Sequence, residues 1–532
     1  MAEQGTPHPG AEHRSRGHPA ARAVTVGVLV AALALAASVL AASLIAGQSA
    51  PVSAIAQRMI NDSPEGVKSF AISTFGTHDK LALGIGIVIV VFILAAVLGI
   101  VIERRRWVGY AALLMLGTVG CVAALTQPGA SPLWAVPSLA GAAVGWLGLE
   151  WLKPSPPAES GDVPAPESAK SRDETADMSA DRRRFLQRAA VLGGVAVGAA
   201  LASRPLGRRL LAGDISRAQV HIPAPATTPS PVSGTTLDVP GLTPLITPNP
   251  RFYRVDTAFV VPQISAQEWR LRIHGMVDRE IEIDFHELLS RPLIERDIAL
   301  TCVSNRVGGH LAGNARWVGV PLKPLLQEAG VRTAATQIIG RSPDGMTIGT
   351  PTAIALDGRD SMLAVQMNGQ PLPVEHGFPV RMIVPGLYGY ESATKWLVDL
   401  ELTTEEVSAY WVQRGWWKSV LIRTESRIDT PASGAHLAAG RIPVAGVAWA
   451  QHRGIEGVEV RVDSGVWEKA ALGPDVGIDG WRQWVWDWPA SPGNHTIEAR
   501  ATDGTGATQT ASTRKPFPSG ATGWPRVAVT VA

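Results

Sequence analysis

Four apolar runs dominate the first 152 residues of this chain, at residues 23–47, 81–102, 107–125 and 133–152. Each run has about the 20 residues that an α-helix needs to cross the hydrocarbon core of a bilayer. Cys121 lies within the third run, where we expect it to pack as a small apolar residue. We therefore predict a four-helix membrane region over residues 1–152.

Basic residues set the predicted orientation of these helices. They precede the first run and separate the second run from the third, at Arg14, Arg16, Arg22, Arg104, Arg105 and Arg106. Lysine and arginine are retained in cytoplasmic loops, so both ends of the four-helix region are predicted to lie in the cytoplasm. None of the 12 histidines falls within a run, and we therefore expect no haem in this chain.

Residues 153–181 are rich in proline, serine and acidic residues and are predicted to form a flexible cytoplasmic linker. They lead into Asp181-Arg-Arg-Arg-Phe-Leu-Gln-Arg188 and then an uncharged stretch that ends at Ser203. Residues 182–203 resemble a twin-arginine export signal, with Arg182 and Arg183 as the pair. The alternative is the basic flank of a fifth membrane helix. Both interpretations predict that the rest of the chain lies on the outer side of a prokaryotic cell membrane.

The exported part begins with residues 204–250, whose proline and threonine content predicts a stalk or a wrapping arm. Residues 251–423 then mix short strand and helix patterns. Apolar and polar residues alternate as in half-buried strands at 269–274 and 280–284, and helical patterns lie at 285–290 and 322–329. Gly330 follows the second helical pattern and predicts its end. These patterns together predict an α+β domain.

Residues 424–532 contain few helical signals. Apolar and polar residues alternate at 459–463, 495–500 and 526–531, between turns rich in glycine, proline and aspartate. This pattern favours an all-β sandwich.

Composition excludes several classes of site. The formal net charge is only +2, from 48 basic and 46 acidic residues, so nothing indicates a nucleic acid partner. The two cysteines, Cys121 and Cys302, are too few for a disulfide framework or a cysteine-based zinc or iron-sulfur site. Cys302 ends an apolar run and precedes a glycine-containing loop. It is therefore a candidate nucleophile or a soft metal ligand, unless it is only buried packing.

A second cluster of candidate residues lies within residues 367–396, in a segment rich in glycine and proline. The glycines allow a ligand to approach the backbone closely. His376, Arg381 and Lys395 supply donors suited to a phosphate group or a pterin ring. The alternative is a surface turn with ordinary salt bridges.

Five segments, in order along the chain, together resemble the sulfite oxidase family of molybdopterin enzymes. They are Thr247-Pro-Asn-Pro-Arg-Phe-Tyr253, Trp269-Arg-Leu-Arg-Ile-His-Gly275, Thr301-Cys302, Ala315-Arg-Trp-Val-Gly-Val320, and the block from Asn368 to Trp396. The tail that begins at Ser426 resembles the immunoglobulin-like dimerisation domain of that family, which implies a homodimer.

The resemblance implies a role for particular residues. Cys302 would be the thiolate ligand of a molybdenum atom that is also held by one molybdopterin. The implied cofactor-binding residues are Asn249, Tyr253, Arg254, His376, Arg381, Thr394 and Lys395. Arg254 and Arg414 are implied to bind substrate, Arg414 because its segment is similar to one that approaches the substrate funnel. Such an enzyme transfers an oxygen atom and exchanges electrons with a separate cytochrome or quinone-linked partner.

One departure from the family bears on the substrate. Eukaryotic sulfite oxidases have two consecutive arginines shortly after the cysteine, where this chain has Arg306-Val307. One cation fewer weakens the case for an oxyanion such as sulfite. The substrate is therefore either sulfite, which would be oxidised, or an S-oxide or N-oxide, which would be reduced. The alternative from another class is a cofactor-free scaffold or adhesion protein that is anchored in the membrane and retains the fold.

Overall fold

The computed structural model describes residues 18–75, 78–153, 167–209, 212–229 and 237–532. Arg14, Arg16, linker residues 154–166 and stalk residues 230–236 lie outside the described residues. The chain divides into two compact units. One contains Met1–Ser63 and Thr74–Leu210, and the other contains Pro64–Ser73 and Leu211–Ala532.

The first part of the chain is helical throughout its described residues. Its helices are α1 (His18–Ile45), α2 (Pro51–Asp62), α3 (Glu65–Phe75), α4 (Asp79–Arg104), α5 (Arg106–Leu125), α6 (Val136–Trp151), α7 (Glu167–Arg209) and α8 (Ala212–Gln219). Five helical segments are long and apolar enough to cross a membrane: Ala21–Ile45, Asp79–Arg104, Arg106–Leu125, Pro132–Trp151 and Arg183–Leu206. The four predicted runs are thus helical, and the segment after the paired arginines is helical as well.

Helix α7 begins at Glu167, inside the segment for which the sequence predicts a flexible linker. Its first residues include glutamate, alanine, lysine and methionine, which all favour the helical conformation. The sequence predicts a linker here because these residues are polar, and helices are recognised in a sequence by an apolar face that packs against other elements.

Glycines allow α1 and α4 to pack with their backbones in contact. A Cβ atom added to Gly27 would lie 2.0 Å from the carbonyl oxygen of Ala95, and one added to Gly99 would lie 2.2 Å from that of Ala23. Small residues at such contacts are typical of helices that associate in lipid, where close packing replaces the hydrophobic effect.

The second unit contains two sheets that share one apolar core. The strands are β1 (Arg270–Gly275), β2 (Ile281–Asp284), β3 (Ile294–Thr301), β4 (Ala312–Pro321), β5 (Gln337–Arg341), β6 (Thr347–Pro351), β7 (Met362–Met367), β8 (Gln370–Pro371), β9 (Arg381–Ile383) and β10 (Asp399–Thr403). Their orders are β2-β1-β10-β5-β6 and β3-β4-β7-β8, with β9 paired to β7. The short helices between them are α9 (Phe285–Leu289), α10 (Leu322–Ala329), α11 (Thr352–Leu356) and α12 (Gly389–Ser392).

The strands and helices that the sequence patterns predict in this α+β region begin and end within one residue of those in the structure. Asp284 and Glu287 form a reciprocal capping box that starts α9. Helix α10 ends at Gly330, whose φ of +70° is a left-handed conformation that glycine adopts without strain.

The C-terminal region is mostly β, as predicted. Its strands are β11 (Glu425–Thr430), β12 (His436–Leu437), β13 (Gly440–Trp449), β14 (Ile455–Val462), β15 (Glu468–Lys469), β16 (Ala471–Leu472), β17 (Arg482–Ala490), β18 (Gly493–Asp503) and β19 (Arg526–Val531). They form two sheets, β11-β13-β17-β16 and β12-β19-β18-β14-β15. One apolar cluster takes residues from both sheets, including Trp484 and Ile497, so the two sheets pack face to face.

A separate aromatic cluster joins the β region to the α+β region. Trp449 and Trp481 pack there with Tyr388 and Tyr390, and all four side chains are buried. The indole N–H of Trp481 donates to the carbonyl of Leu245 at 2.7 Å. This seam fixes the β region against the loops that end β3 and β9, where the candidate site lies.

Candidate active site

Cys302 is the first residue after strand β3, at the start of a loop that returns to β4. Its backbone N–H donates to the carbonyl of Leu311 at 2.9 Å, and its carbonyl accepts the N–H of Asn305 at 2.9 Å. The side-chain oxygen of Asn305 accepts the N–H of Leu311 at 2.9 Å and closes the loop from inside. These bonds fix the position of the half-exposed thiol.

The thiol faces a cavity that also receives three of the other predicted site residues. Cys302, Tyr253, Arg381 and Lys395 all line it. Tyr253 follows the predicted stalk, Arg381 begins β9, and Lys395 follows α12. Three segments far apart in sequence therefore meet at the end of β3.

Buried cations form one side of this cavity. Arg381 is 4% exposed, and its guanidinium donates to the carbonyl of His376 at 3.1 Å. Burial lowers its pKa to about 10, so it stays charged at neutral pH. The ammonium of Lys395 donates to Asp256 and to the carbonyl of Glu375, both at 3.0 Å. Burial lowers the pKa of Lys395 to about 8, while Asp256 opposes that shift.

Asp256 pairs with two cations, Lys395 and Arg254. Its buried carboxylate also accepts from the Nε of Arg254 at 3.0 Å. One carboxylate therefore pairs with two cations, so Asp256, Arg254 and Lys395 together carry a net positive charge. Such a charge attracts an anionic ligand into a partly desolvated site.

His376 is held beside this cationic group in a neutral state. Burial, together with the charges of Lys395 and Arg381, lowers its pKa to about 3. Its Nε2 lies 3.2 Å from the carbonyl oxygen of Asn249. A carbonyl only accepts, so Nε2 carries the proton and Nδ1 presents a lone pair. Asn249 is itself positioned by Asn368, whose amide donates to its side-chain oxygen at 2.7 Å.

Two buried polar atoms beside these cations have no partner within the described part of the chain. They are Nδ1 of His376 and Nε of Arg381. The buried hydroxyl of Thr394 also has no partner among the described residues, but it lies against Gly340 of β5. Buried polar groups are nearly always hydrogen-bonded, so unpaired ones beside buried cations indicate a polar ligand.

Residues 258–411 match the family model described as the oxidoreductase molybdopterin binding domain. Over 149 residues the chain is 33% identical to an uncharacterised oxidoreductase, YuiH of Bacillus subtilis, and the match covers 72% of that protein and 28% of this chain. This chain belongs to the sulfite oxidase family of molybdopterin oxidoreductases. Over 270 residues it is 30% identical to mouse mitochondrial sulfite oxidase, which covers 43% of this chain and 49% of the enzyme. The chain spans about half the length of the sulfite oxidases that it matches.

One solved structure that is similar to the chain is the sulfane dehydrogenase SoxCD from Paracoccus pantotrophus. The two share 24% sequence identity at a TM-score of 0.46, and the match covers 50% of this chain and 75% of the other.

The residues of the cavity fit the cofactor of this family. Molybdopterin carries a phosphate, which suits the buried charges of Arg381 and Lys395. Its pterin ring offers N–H donors, which suit the unpaired Nδ1 of His376. Cys302 supplies a sulfur ligand of the kind that a soft, high-valent metal prefers. When bound, the cofactor supplies a metal that exchanges an oxygen atom and two electrons.

The two arginines that the resemblance assigns to substrate each have a partner within the chain. Arg254 pairs with Asp256, which lines the cavity. Arg414 donates to the carbonyl of Tyr410 at 2.9 Å, and its guanidinium lies 3.5 Å from the centre of the Tyr410 ring, in a cation–π contact. A substrate-binding role for either residue stays a prediction.

The outer wall of the cavity has different chemistry. It comprises Asp344, Met346, Tyr390, Trp411 and Trp416. Asp344 and Met346 lie in the turn between β5 and β6, where Asp344 accepts the hydroxyl of Ser342 at 2.6 Å. The indole nitrogen of Trp416 is buried and has no partner among the described residues.

The sequence predicts only part of this wall. The segment of Arg414, which contains Trp411, is similar to one that approaches the substrate funnel, whereas nothing in the sequence singles out Asp344, Met346 or Tyr390. The Asp344-Gly345 turn between two alternating segments is the one signal that predicts a hairpin there. A hairpin tip at the end of a sheet is a common place for binding residues.

Proposed function

We propose that this protein is a molybdenum enzyme that transfers an oxygen atom to or from a small sulfur or nitrogen compound. One observation carries the proposal: the partly exposed thiol of Cys302 and the cations of Arg381 and Lys395 line one cavity, with the unpaired Nδ1 of His376 beside them. A scaffold or adhesion protein would have no use for this arrangement, because each unpaired buried group costs about 1–3 kcal/mol.

The chain's own residues would bind and orient the cofactor. Arg381 and Lys395 would hold its phosphate, and Tyr253 would pack beside Cys302. His376 would accept a hydrogen bond from the pterin at Nδ1, in the tautomer that the carbonyl of Asn249 sets. Partners on several sides would restrict the orientation of the cofactor in the cavity.

The outer wall favours reduction of an uncharged S-oxide or N-oxide. Arg381 and Lys395 are the only cations among the residues that line the cavity, and we assign both to the cofactor. Asp344 adds negative charge to the same lining, which disfavours an anion such as sulfite. The unpaired N–H of Trp416 is suited to the oxygen of an S-oxide. Such a reduction consumes two electrons and two protons and releases water.

Sulfite oxidation is the second candidate, and the similarity to mouse sulfite oxidase supports it. In that direction water supplies the oxygen atom, and two electrons and two protons are released. Steady-state turnover rates, measured with a small redox dye, distinguish oxide reduction from sulfite oxidation. The substrates compared are sulfite, dimethyl sulfoxide and trimethylamine N-oxide. We expect turnover with an oxide and a reduced dye. Faster turnover with sulfite and an oxidised dye would reverse this assignment.

The cofactor is tested on the purified full chain by metal and pterin analysis. We expect about one molybdenum and one pterin per chain. Cys302→Ser should abolish turnover while pterin content stays near that of the native chain, because the phosphate and ring contacts remain. Cys121→Ser is the matched control, since it removes the other cysteine and should change neither quantity. A native chain without molybdenum, or an active Cys302→Ser variant, would contradict the proposal.

We further propose that the protein is anchored in a prokaryotic cell membrane with its enzymatic unit on the outer side. The lengths and compositions of the five apolar helical segments support this location, and the paired Arg182 and Arg183 support export of a folded unit. Replacing both arginines with lysine should leave the enzymatic unit accessible only from the cytoplasm in a protease-protection assay. An unchanged pattern would favour an ordinary fifth membrane helix.

The C-terminal region is proposed to have an immunoglobulin-like topology and to mediate homodimer formation. Its two face-to-face sheets support the first statement. The mass of the purified detergent-solubilised chain, measured by light scattering, tests the second: a monomeric mass at micromolar concentration would contradict it.

A further inference from the structure

An exposed apolar patch lies on the second unit, formed by Trp417, Leu421 and Phe517. These side chains are 59%, 50% and 48% exposed. The backbone N–H of Trp417 donates to the carbonyl of Pro518 at 3.0 Å, which holds the two segments of the patch together. Grouped exposed apolar side chains of this size mark interaction surfaces.

The patch is separated from the cavity by a single layer of aromatic side chains. Trp416 and Tyr390 line the cavity, and their ring centres are 6.0 Å apart. The ring centre of Trp416 lies 5.2 Å from that of Phe517. A contact made at the patch is therefore close to the site at which electrons must be exchanged.

The surroundings of the patch are basic. The two segments that carry it, residues 407–424 and 504–525, contain no aspartate or glutamate, and their basic residues are Arg414, Lys418, Arg423, Arg514 and Lys515. Glu405 and Glu406 precede the first segment. Over the whole chain, by contrast, 48 basic residues face 46 acidic ones. Aromatic residues with arginine are typical of the centre of protein interfaces, and a basic surrounding selects an acidic partner.

We propose that this patch docks an acidic electron-carrier protein. The inference rests on the proposed function, because oxygen-atom transfer requires two electrons to enter or leave the site. The carrier is reduced or oxidised by one electron at a time, while water and protons complete the balance at the substrate. The basic residues steer the approach of the carrier, and the patch forms a small contact of the kind that suits rapid release.

The test compares a protein carrier with a small dye on the purified full chain. The acidic carrier is plastocyanin for an oxidative reaction and reduced flavodoxin for a reductive one, and the dye is dichlorophenolindophenol or reduced benzyl viologen. The variant is Arg514→Glu/Lys515→Glu. We expect its kcat/KM for the carrier to fall about 10-fold or more at low ionic strength, with the loss disappearing at high salt. Turnover with the dye should not change.

The matched control is Arg441→Glu/Lys469→Glu, which makes the same change of charge at exposed positions of strands β13 and β15. An equal loss in this control, or an unchanged rate in the test variant, would overturn the docking assignment. The Arg514→Glu/Lys515→Glu variant is also tested for binding to phosphatidylglycerol vesicles. If its vesicle binding weakens while its kcat/KM for the carrier stays that of the native chain, the patch binds a lipid surface, and the proposal is also overturned. Absence of dye turnover in the native chain would refute the proposed function and this inference with it.

Discussion

Glu391→Gln is expected to gain stability relative to the native chain as the pH rises from 5 to 8. The carboxylate of Glu391 accepts the backbone N–H groups of Ser419 and Val420, at 2.5 and 2.8 Å. It thereby holds the segment that carries Trp416 and Trp417. Burial raises the pKa of Glu391 from 4.5 to about 7, against the effect of these two donors.

The magnitude follows from that pKa. Between pH 4.5 and 7 the folded chain binds a proton that the unfolded chain has lost, so the free energy of unfolding falls as pH rises. Each pH unit is worth about 1.4 kcal/mol, which gives a loss of about 3 kcal/mol above pH 7. Glutamine does not ionise and avoids this loss, but its NH2 group leaves one of the two backbone N–H groups without an acceptor, at a cost of about 1–3 kcal/mol at every pH.

Thermal unfolding of the full chain, followed by tryptophan fluorescence from pH 5 to 8.5, measures the difference. At pH 5 the variant should have a lower Tm than the native chain, because one backbone N–H has lost its acceptor. Between pH 5 and pH 8 the Tm of the variant relative to that of the native chain should rise by roughly 5–10 °C, since 1 kcal/mol shifts Tm by about 2–4 °C in a large domain. Glu406→Gln, which neutralises an exposed acid nearby, should give a curve parallel to that of the native chain. Parallel curves for Glu391→Gln would refute the reasoning.

Three further predictions concern the cavity. Asp256→Asn removes the charge that supports Lys395, so the pKa of Lys395 should fall further below about 8; mass spectrometry of cofactor-free protein should show faster acetylation of Lys395 at pH 7.5 than in the native chain. The pKa of His376 is lowered to about 3, so its contribution to stability is lost as pH falls below about 6.5, by up to about 1.4 kcal/mol per pH unit. His376→Gln should therefore flatten the decline of Tm between pH 6 and 4, and an unchanged decline would show that other groups cause it. Trp416→Phe removes one N–H donor worth about 1 kcal/mol; kcat/KM for an S-oxide should fall about 5-fold, whereas an equal change with the carrier protein would point to a disturbed patch.

The sequence predicts the local elements of the α+β region well because their signals are local. Alternation of apolar residues predicts β1 and β2, and Gly330 predicts the end of α10, since each depends on neighbours within a few residues. The helical start of α7 was missed for the opposite reason. Its polar residues favour a helix by intrinsic propensity, and the sequence pattern records packing rather than propensity.

The candidate site was predictable only where motifs mark it. Cys302, Arg381 and Lys395 follow from the resemblance, and they do line one cavity. Asp256 and Tyr390 were not predicted as site residues, because their roles depend on which distant segments the sheets bring together. The contact between the guanidinium of Arg414 and the ring of Tyr410 was likewise not predictable from the sequence, because both side chains could have pointed elsewhere.

The polarity of the cavity links cofactor binding to folding. Nδ1 of His376 and Nε of Arg381 are buried without a partner among the described residues, and each such atom destabilises the folded chain by about 1–3 kcal/mol until a ligand pairs with it. A group that binds the folded chain and not the unfolded one raises stability by mass action. We therefore expect the chain to be most stable with molybdopterin bound. If the paired arginines direct the export of a folded unit, as proposed above, the cofactor would cross the membrane inside the protein.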